Sequence, residues 1–457
     1  MRTSACTAFG LRQLGAALAL ASACQPPPTQ LATAVAPAPS TAAVPSGRSA
    51  PRRSPAATAP PRLPSAPPPA ASLGQAPSVQ RLDPLLALHE PVGAAVLSEA
   101  RTLMATRFVI AVAGVKATRA RPAMAAAFAE IARIETLLSE WQPQSAISRI
   151  NAAAGGEAVA VDAETLQVVQ AGLEVSRWSD GAFDLSWAAL RGLYRFDAGW
   201  RAVPGAAQIA QRRARVNWRR VEVQTQQRRV RLPEHGMALG TGAIAKGYAL
   251  DRAAQLLRQA GLKHYLLYAG GQVLVRGRRG ARPWRVGIQH PRQPRHFAVV
   301  QATAGSIATS GDYEHFFIAD DGRRWHHIID PRSGLPARGC SSVTVRATSG
   351  MHADALATAA FVLGPADALR MLAMLPIKAA ALIVDHQGGV HLSPGLERQV
   401  VFTERLSQDG YLRDMDVVAT GSQSTHALTR GRGRLHARHL PGRKLSTTGW
   451  MRTTPRR

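Results

Sequence analysis

The hydrophobic positions between residues 108 and 384 follow two different periods, which predicts helices alternating with strands. Several segments repeat apolar residues every three or four positions, as expected for amphipathic helices. The predicted helices occupy residues 122–138, a segment that begins after Asp162, and residues 246–260, 353–362 and 365–373. The predicted strands occupy residues 108–112, 264–268, 272–276, 284–289, 296–301, 306–309, 316–318, 342–346 and 380–384.

Short connections join several of these strands, which favours antiparallel pairing. The order of the elements indicates an α+β fold in which a mixed or antiparallel sheet packs against helices. Asp162 is expected to cap the helix that follows it, and Gly261 is expected to end the preceding helix in a left-handed conformation. We place this fold at residues 83–410, as one large domain or two intimately packed lobes.

The N-terminal part of the chain differs in composition from this central segment. Basic residues and then an apolar run ending at Ala23 precede Cys24, which is typical of an export signal over residues 1–23. Cys24 resembles the lipidated cysteine of a bacterial lipoprotein, and ordinary cleavage after Ala23 is the alternative. Residues 24–82 are rich in proline and alanine and are predicted to form a disordered tether. The expected location is therefore the inner membrane, facing the periplasm.

The net charge of +27 comes largely from the two ends of the chain. Residues 1–82 and 411–457 together contribute +15, and the second of these segments is predicted to be an irregular basic tail. Aromatic residues make up only 5% of the chain and do not interleave with a basic stripe, so nucleic-acid binding is not expected. Only Cys340 would remain as a thiol in the folded domain, which excludes an intramolecular disulfide framework.

Asp354 and Thr358 lie four residues apart in a predicted helix, so their oxygens project from one face. A carboxylate beside a hydroxyl suits Mg²⁺, which prefers oxygen ligands and often completes its shell with water and phosphate oxygens. On many helices such a pair instead faces solvent or forms an internal hydrogen bond.

A second segment that suits phosphate binding runs from Gly240 to Tyr248. It leads from a predicted loop into a helix start, where backbone N–H groups and the positive end of the helix dipole attract anions. Lys246 adds a positive charge at the same place. Close backbone packing by the glycines is the alternative explanation.

Eight motifs occur in order between residues 102 and 392. They are MATRF from Met104, SEWQPQSAISRIN from Ser139, GAFD from Gly181, GAIAKGYALD from Gly242, WRVGIQHP from Trp284, ATSGDYE from Ala308, HIIDPRSG from His327 and ADALATAAF from Ala353. Together they resemble the ApbE family, the FAD:protein FMN transferases. The resemblance implies Mg²⁺-dependent transfer of FMN from FAD to a Thr or Ser hydroxyl of a target flavoprotein, with release of AMP.

The resemblance also implies roles for individual residues. Asp354, Thr358 and the backbone oxygen of Ala243 would bind Mg²⁺. Contacts with FAD are implied for Met104, Trp141, Ala182, Phe183, Asp184, Lys246 and Ile328, with Trp141 as the aromatic neighbour of the flavin. His327, or else Asp330 or Asp312, would accept the proton of the attacking hydroxyl. Lys246 and Asp354 would act electrostatically on the phosphates.

Several of these residues have a structural role as the alternative. His326 and His327 could be strand residues with satisfied hydrogen bonds. Asp330 could open a turn, and Asp184 could cap the helix that follows it. Trp141 could fill a core, as aromatic residues commonly do.

The sequence departs from the family pattern at one position. Gly240 stands where the family usually carries an aspartate that contacts FAD, and Thr241 is a candidate substitute for that contact. Two alternative functions stay open as a result: a lipoprotein that binds FAD without transferring FMN, and a Mg²⁺-dependent FAD pyrophosphatase that does not modify a protein.

Overall fold

A computed structural model describes residues 95–196, 202–413 and 415 of the 457-residue chain. Its helices are α1 (Ala117–Leu138), α2 (Ala146–Ala152), α3 (Ala163–Trp178), α4 (Ala206–Arg213), α5 (Ala245–Gln259), α6 (Gly350–Leu363) and α7 (Pro365–Met374). Its strands are β1 (Val96–Leu103), β2 (Thr106–Ala113), β3 (Val159–Ala160), β4 (Glu222–Gln224), β5 (Arg229–Arg231), β6 (Tyr265–Ala269), β7 (Gln272–Arg276), β8 (Arg278–Arg279), β9 (Arg282–Gln289), β10 (His296–Ala302), β11 (Ala304–Gly311), β12 (Phe316–Ile318), β13 (Arg324–His326), β14 (Ile329–Asp330), β15 (Leu335–Pro336), β16 (Cys340–Ala347), β17 (Ala379–Asp385), β18 (Val390–Leu392) and β19 (Val400–Phe402). The predicted export signal, Cys24, the tether and most of the predicted tail lie outside the described residues.

An eight-stranded sheet forms the centre of the fold, in the order β1-β2-β6-β7-β11-β16-β17-β18. Each pairing in it is antiparallel. Because side chains alternate between the two faces of a strand, β2 sends Phe108 and Ile110 into one core and Val109 and Ala111 into another. Burial on both faces explains why the central strands read as continuous apolar runs.

Helices α1, α3, α5, α6 and α7 contribute to the larger of these cores. Helices α5 and α6 approach closely because Gly247 has no side chain at their contact. A Cβ at this position would lie only 2.1 Å from the carbonyl oxygen of Gly350. Asp251 of α5 accepts hydrogen bonds from the first two N–H groups of α6, at 2.7 and 3.0 Å. These contacts fix the start of α6, the helix that carries the predicted metal ligands, against α5.

A four-stranded sheet, in the order β19-β10-β9-β8, contributes to the second core on the other face. Trp284 and Phe297 from this small sheet are fully buried there. Leu412 and Met415 also pack against this core. The packed structure therefore continues a few residues past residue 410, where we placed the start of the tail.

The predicted elements agree with the structure to within a few residues at each end. Asp162 accepts a hydrogen bond from the N–H of Thr165 at 2.8 Å and caps α3, and Gly261 has a φ of 73°, as predicted. The sequence pattern missed β1, an edge strand with no buried residue, the short helices α2 and α4, and short strands such as β4 and β5. Among the described residues, no helix is both long and apolar enough to cross a membrane.

Candidate functional site

The predicted metal-binding segments meet at one end of the eight-stranded sheet. The turn between β1 and β2 and the Gly270–Gly271 turn between β6 and β7 both lie at this end, as the strand registers show. Ser310, near the end of the central strand β11, lies at the same end of the sheet. Its Oγ lies 3.4 Å from Oγ1 of Thr358, so α6 places this threonine against the end of the sheet.

Asp354 is buried, and its carboxylate is directed at the start of α5. Its Oδ2 accepts a hydrogen bond from the N–H of Gly247 at 3.1 Å, and its Oδ1 lies 3.5 Å from Nζ of Lys246. Burial raises the pKa of Asp354, and the charge of Lys246 and the Gly247 N–H oppose that change. A cation beside this carboxylate would compensate a charge that is poorly solvated.

The oxygen atoms predicted to hold a metal are those of Asp354, Thr358 and the Ala243 carbonyl. Nζ of Lys246 donates a hydrogen bond to the Gly242 carbonyl at 2.6 Å, so this lysine bridges the loop and the carboxylate. No cluster of three His, Cys, Asp or Glu residues suited to a metal occurs in the part of the chain that the structure describes. A carboxylate, a hydroxyl and a carbonyl fit Mg²⁺, which needs few protein ligands, better than a transition metal.

Glu140, which the sequence analysis did not single out, holds the loop before α5. Its Oε1 accepts hydrogen bonds from the N–H groups of Thr241 and Gly242, the second at 2.8 Å. Its Oε2 pairs with Arg191. The Thr241 hydroxyl donates to the carbonyl of Leu138 at 2.8 Å, so it is directed into the protein. The only sequence signal for Glu140 was its position inside the SEWQPQS motif.

Gly240 is enclosed by the indole of Trp187. A Cβ at position 240 would lie 2.3 Å from Trp187 Nε1 and 3.1 Å from the Cβ of Ala188. An aspartate has no room at this position unless Trp187 moves. The glycine at position 240, where the family usually carries aspartate, is therefore required by the position of the Trp187 indole.

His327 directly follows β13 and is exposed to solvent. Its Nδ1 lies 3.4 Å from the carbonyl of His315, and the two rings meet edge to face at 5.3 Å. Part of the ring is open to solvent, but desolvation of the rest by the surrounding protein, with repulsion from His315, His326 and Lys246, lowers the pKa of His327 below its ordinary value. The ring is therefore neutral at pH 7 and lies within electrostatic range of Lys246.

His326 has the structural role that the sequence left open for it. It lies in β13, is buried, and its Nε2 is 2.8 Å from the carbonyl of Ala337. Its ring also packs edge to face against that of Phe361 at 5.5 Å. Of the two adjacent histidines, His327 is the one exposed to solvent.

The two carboxylates named as alternative proton acceptors are engaged in ion pairs. Asp330 accepts a hydrogen bond from the N–H of Arg332 and pairs with its guanidinium, all at 2.9 to 3.0 Å, as expected for a turn residue. Asp312 forms a bidentate pair with Arg292 at 2.6 and 2.7 Å. Both carboxylates are thus already bound to guanidinium groups.

Trp141, rather than Met104, has a feature that favours contact with a ligand. Trp141 is 60% exposed, which argues against a core role, and the guanidinium carbon of Arg191 lies 4.6 Å from its ring centroid. Met104 has a φ of 48° in the turn between β1 and β2. Ala105 has a φ of 55°, and two consecutive left-handed residues are what a two-residue hairpin turn requires, so the turn explains the backbone of Met104 and the evidence for ligand contact comes from Trp141.

Four of the residues implied to contact FAD are buried: Ala182, Phe183, Asp184 and Ile328. Asp184 accepts hydrogen bonds from the N–H and hydroxyl of Ser186, both at 2.7 Å, and from the N–H of Trp218 at 3.1 Å. The next residue touches the glycine-bearing loop, because the N–H of Gly240 donates to the carbonyl of Leu185 at 2.7 Å. The backbone of this segment therefore supports the loop from inside the protein.

The model of the ApbE family matches residues 104–383 of the chain. The chain belongs to the ApbE family. Among its relatives are two FAD:protein FMN transferases of Klebsiella pneumoniae (strain 342). One is 38% identical over 245 residues, which cover 52% of this chain and 74% of the relative. The other is 30% identical over 327 residues, which cover 70% and 93%. This ApbE protein is accordingly a transferase.

Solved structures of ApbE proteins share the fold. The ApbE protein of Thermotoga maritima superposes with a TM-score of 0.61 at 32% identity, covering 67% of this chain and 99% of that one. The flavin transferase ApbE of Vibrio cholerae gives a TM-score of 0.60 at 25% identity, covering 67% and 100%. The family and the α+β class predicted from the sequence are confirmed, whereas the roles of individual site residues stay predictions.

Proposed function

We propose that this ApbE protein transfers FMN from FAD to a Thr or Ser hydroxyl of a target flavoprotein, with Mg²⁺ as cofactor and AMP as leaving group. The names of its relatives support FAD as the donor and a protein as the acceptor. The observation that carries the proposal is the meeting of Asp354 and Lys246, a buried carboxylate and a cation 3.5 Å apart at the start of α5. Because the N–H of Gly247 is already bonded to Asp354, the phosphate contact proposed here is made by the side chain of Lys246 and by the cation.

In the proposed reaction, the acceptor hydroxyl attacks the FMN-side phosphorus of FAD. The new phosphoester bond forms while the phosphoanhydride bond to AMP breaks, so catalysis depends on positioning and on charge neutralisation. Asp354, Thr358 and the Ala243 carbonyl would hold Mg²⁺, which supplies positive charge at the phosphates. Lys246 would bind a phosphate oxygen and stabilise the charge that develops during transfer.

His327 would accept the proton of the attacking hydroxyl. In the proposed tautomer the neutral ring carries its proton on Nδ1, which lies 3.4 Å from the His315 carbonyl, a group that can only accept a hydrogen bond. The lone pair is then on Nε2, which can act as the base. The lowered pKa of His327 keeps the ring in this neutral form at pH 7.

The proposal is tested by incubating the purified protein with FAD, Mg²⁺ and a flavoprotein that accepts FMN on threonine. We expect AMP and covalently flavinylated acceptor to appear in equal amounts, measured by chromatography and mass spectrometry, and EDTA to suppress both. A variant of the acceptor with alanine at the modified threonine is the control. AMP without flavinylation would instead indicate an FAD pyrophosphatase, and binding of FAD without AMP would indicate a flavin-binding protein.

We further propose that the protein is exported and anchored to the inner membrane through a lipid on Cys24. The apolar run that ends at Ala23, directly before this cysteine, supports the proposal. Labelled fatty acid should be incorporated into the wild-type protein and not into Cys24→Ala, which should leave the membrane fraction. Wild-type protein that carries no lipid and is found free in the periplasm would favour ordinary cleavage after Ala23.

A further inference from the structure

We propose that Glu140 and Arg191 form a positioning pair that holds the loop at residues 240–243 in the geometry that flavin transfer requires. The effect on catalysis rests on the proposed function, because this loop leads into Lys246 and contains the Ala243 carbonyl. The effect on the loop itself does not depend on that function. Neither residue carries out a chemical step in this proposal.

Glu140 acts on the loop through its backbone. A single oxygen, Oε1, accepts the N–H groups of Thr241 and Gly242 and lies 3.3 Å from the Thr241 hydroxyl. The Glu140 side chain is only 8% exposed, so these hydrogen bonds are largely shielded from water. Charge-assisted bonds to two consecutive N–H groups restrict the loop far more than one neutral bond would.

Arg191 balances the charge of Glu140 and stacks on neighbouring aromatic rings. It pairs with the second carboxylate oxygen, and its guanidinium carbon lies 4.6 Å from the ring centroid of Trp141 and 5.9 Å from that of Trp187. Burial lowers the pKa of Arg191 to about 10, as expected for a guanidinium that is only 25% exposed. Each member of the pair therefore depends on the other, since removing one leaves an unpaired and largely buried charge.

The loop needs an external support because Gly240 has no side chain with which to anchor itself. The space beside Gly240 is filled by Trp187, and the Gly240 N–H donates to the carbonyl of Leu185 at 2.7 Å. One side of the loop is thus held by residues 185–187 and the other by Glu140. Arg191 joins the two sides, because it contacts both Glu140 and Trp187.

A shift of this loop would be transmitted directly to the phosphate-binding groups. Nζ of Lys246 donates to the Gly242 carbonyl at 2.6 Å, next to the N–H that Glu140 binds on the same residue. The next carbonyl, that of Ala243, is a predicted metal ligand. Displacement of reacting groups by about 1 Å can cost about 100-fold in rate, so a loosened loop should affect the turnover rate.

The kinetic test compares Glu140→Ala, Glu140→Gln and Arg191→Met in the full-length protein. Glu140→Ala should lower kcat for FMN transfer at least about tenfold. Glu140→Gln should lose only about threefold, because its amide oxygen can accept the same N–H groups. The double variant Glu140→Gln/Arg191→Met should lose less than the product of the single losses, since the two residues act together.

Glu99→Ala is the matched control, because Glu99 also pairs with an arginine, Arg121, but in an exposed ion pair. This pair lies near the start of α1, whereas Glu140 lies just after the end of that helix. This control should keep the wild-type kcat. A folded Glu140→Ala variant with wild-type kcat would overturn the proposal. The proposal would also be overturned if, in every variant, the loss of activity equalled the loss of folded protein measured by circular dichroism.

Hydrogen exchange tests the positioning independently of any transfer activity. In substrate-free protein, the amides of Thr241 and Gly242 should exchange at least about tenfold faster in Glu140→Ala than in the wild type or in Glu99→Ala. Unchanged protection of these two amides would refute the role of Glu140 even if transfer were reduced. If the wild type showed no transfer at all, faster exchange would still support the pair and only the proposed function would fail.

Discussion

Replacing Gly247 with alanine is expected to destabilise this ApbE protein and to impair transfer, although alanine is the better helix former. Gly247 lies in the first turn of α5, and alanine in a helix is favoured over glycine by about 1 kcal/mol. The added Cβ, however, would lie 2.1 Å from the carbonyl oxygen of Gly350 and 2.8 Å from the Cα of Met351. Both contacts are with backbone, so no side-chain rotation relieves them.

The size of the effect follows from the distances. Ordinary van der Waals contact begins at 3.4 Å, so α5 and α6 would have to separate by about 1.3 Å at this point. Overpacking of this kind costs about 1 to 3 kcal/mol, and here the close contact is with rigid backbone, so the upper part of that range applies. After the gain in helix propensity, we expect a net loss of about 2 kcal/mol, which corresponds to a Tm lower by about 4 °C.

The same separation would displace Asp354, whose Oδ2 accepts the Gly247 N–H at 3.1 Å, from Lys246. FMN transfer should therefore fall by about 100-fold at temperatures where the variant is fully folded. Calorimetry and the AMP-release assay measure the two effects. Gly205→Ala is the control, since its Cβ would meet nothing closer than 3.9 Å and should change stability by no more than about 1 kcal/mol. A Gly247→Ala protein with unchanged or higher Tm and normal transfer would refute the packing argument.

Asp354→Asn should lower FMN transfer at least about 100-fold. In EDTA the Tm of this variant should equal or exceed that of the wild type, because the substitution removes a buried charge. A variant that lost both Tm and activity would contradict this expectation. For His327, whose pKa is lowered below 6.5, the kcat/KM profile between pH 5 and 9 should show no acidic limb centred at or above pH 6.5. A limb centred higher would exclude it as the base. The Arg133 hydrogen bond lowers the pKa of Glu130 from 4.5 to about 2, so the stability it contributes should be present above pH 4.5 and be lost as the pH falls towards 2. Urea unfolding of the wild type and Glu130→Gln should diverge above pH 4.5 and converge near pH 2.

The amino-acid sequence was sufficient to predict most of the regular structure and the family. Helical spacing located α1, α3 and α5, and capping chemistry at Asp162 and Gly261 predicted where helices begin and end. These signals are local, because a hydrophobic period and a cap depend on residues within a few positions of one another. The spacing of Asp354 and Thr358 likewise placed both on one face of α6 before any tertiary contact was known.

The tertiary structure decided which side chains surround the site. Glu140 binds the N–H groups of Thr241 and Gly242 across about a hundred residues of sequence, and no local pattern distinguishes it from an exposed glutamate. Asp184 is implied to contact FAD, and only the structure shows that it is buried and accepts hydrogen bonds from Ser186 and Trp218. Such long-range partners are set by how helices and strands pack together, and periodicity along the chain carries no information about that packing.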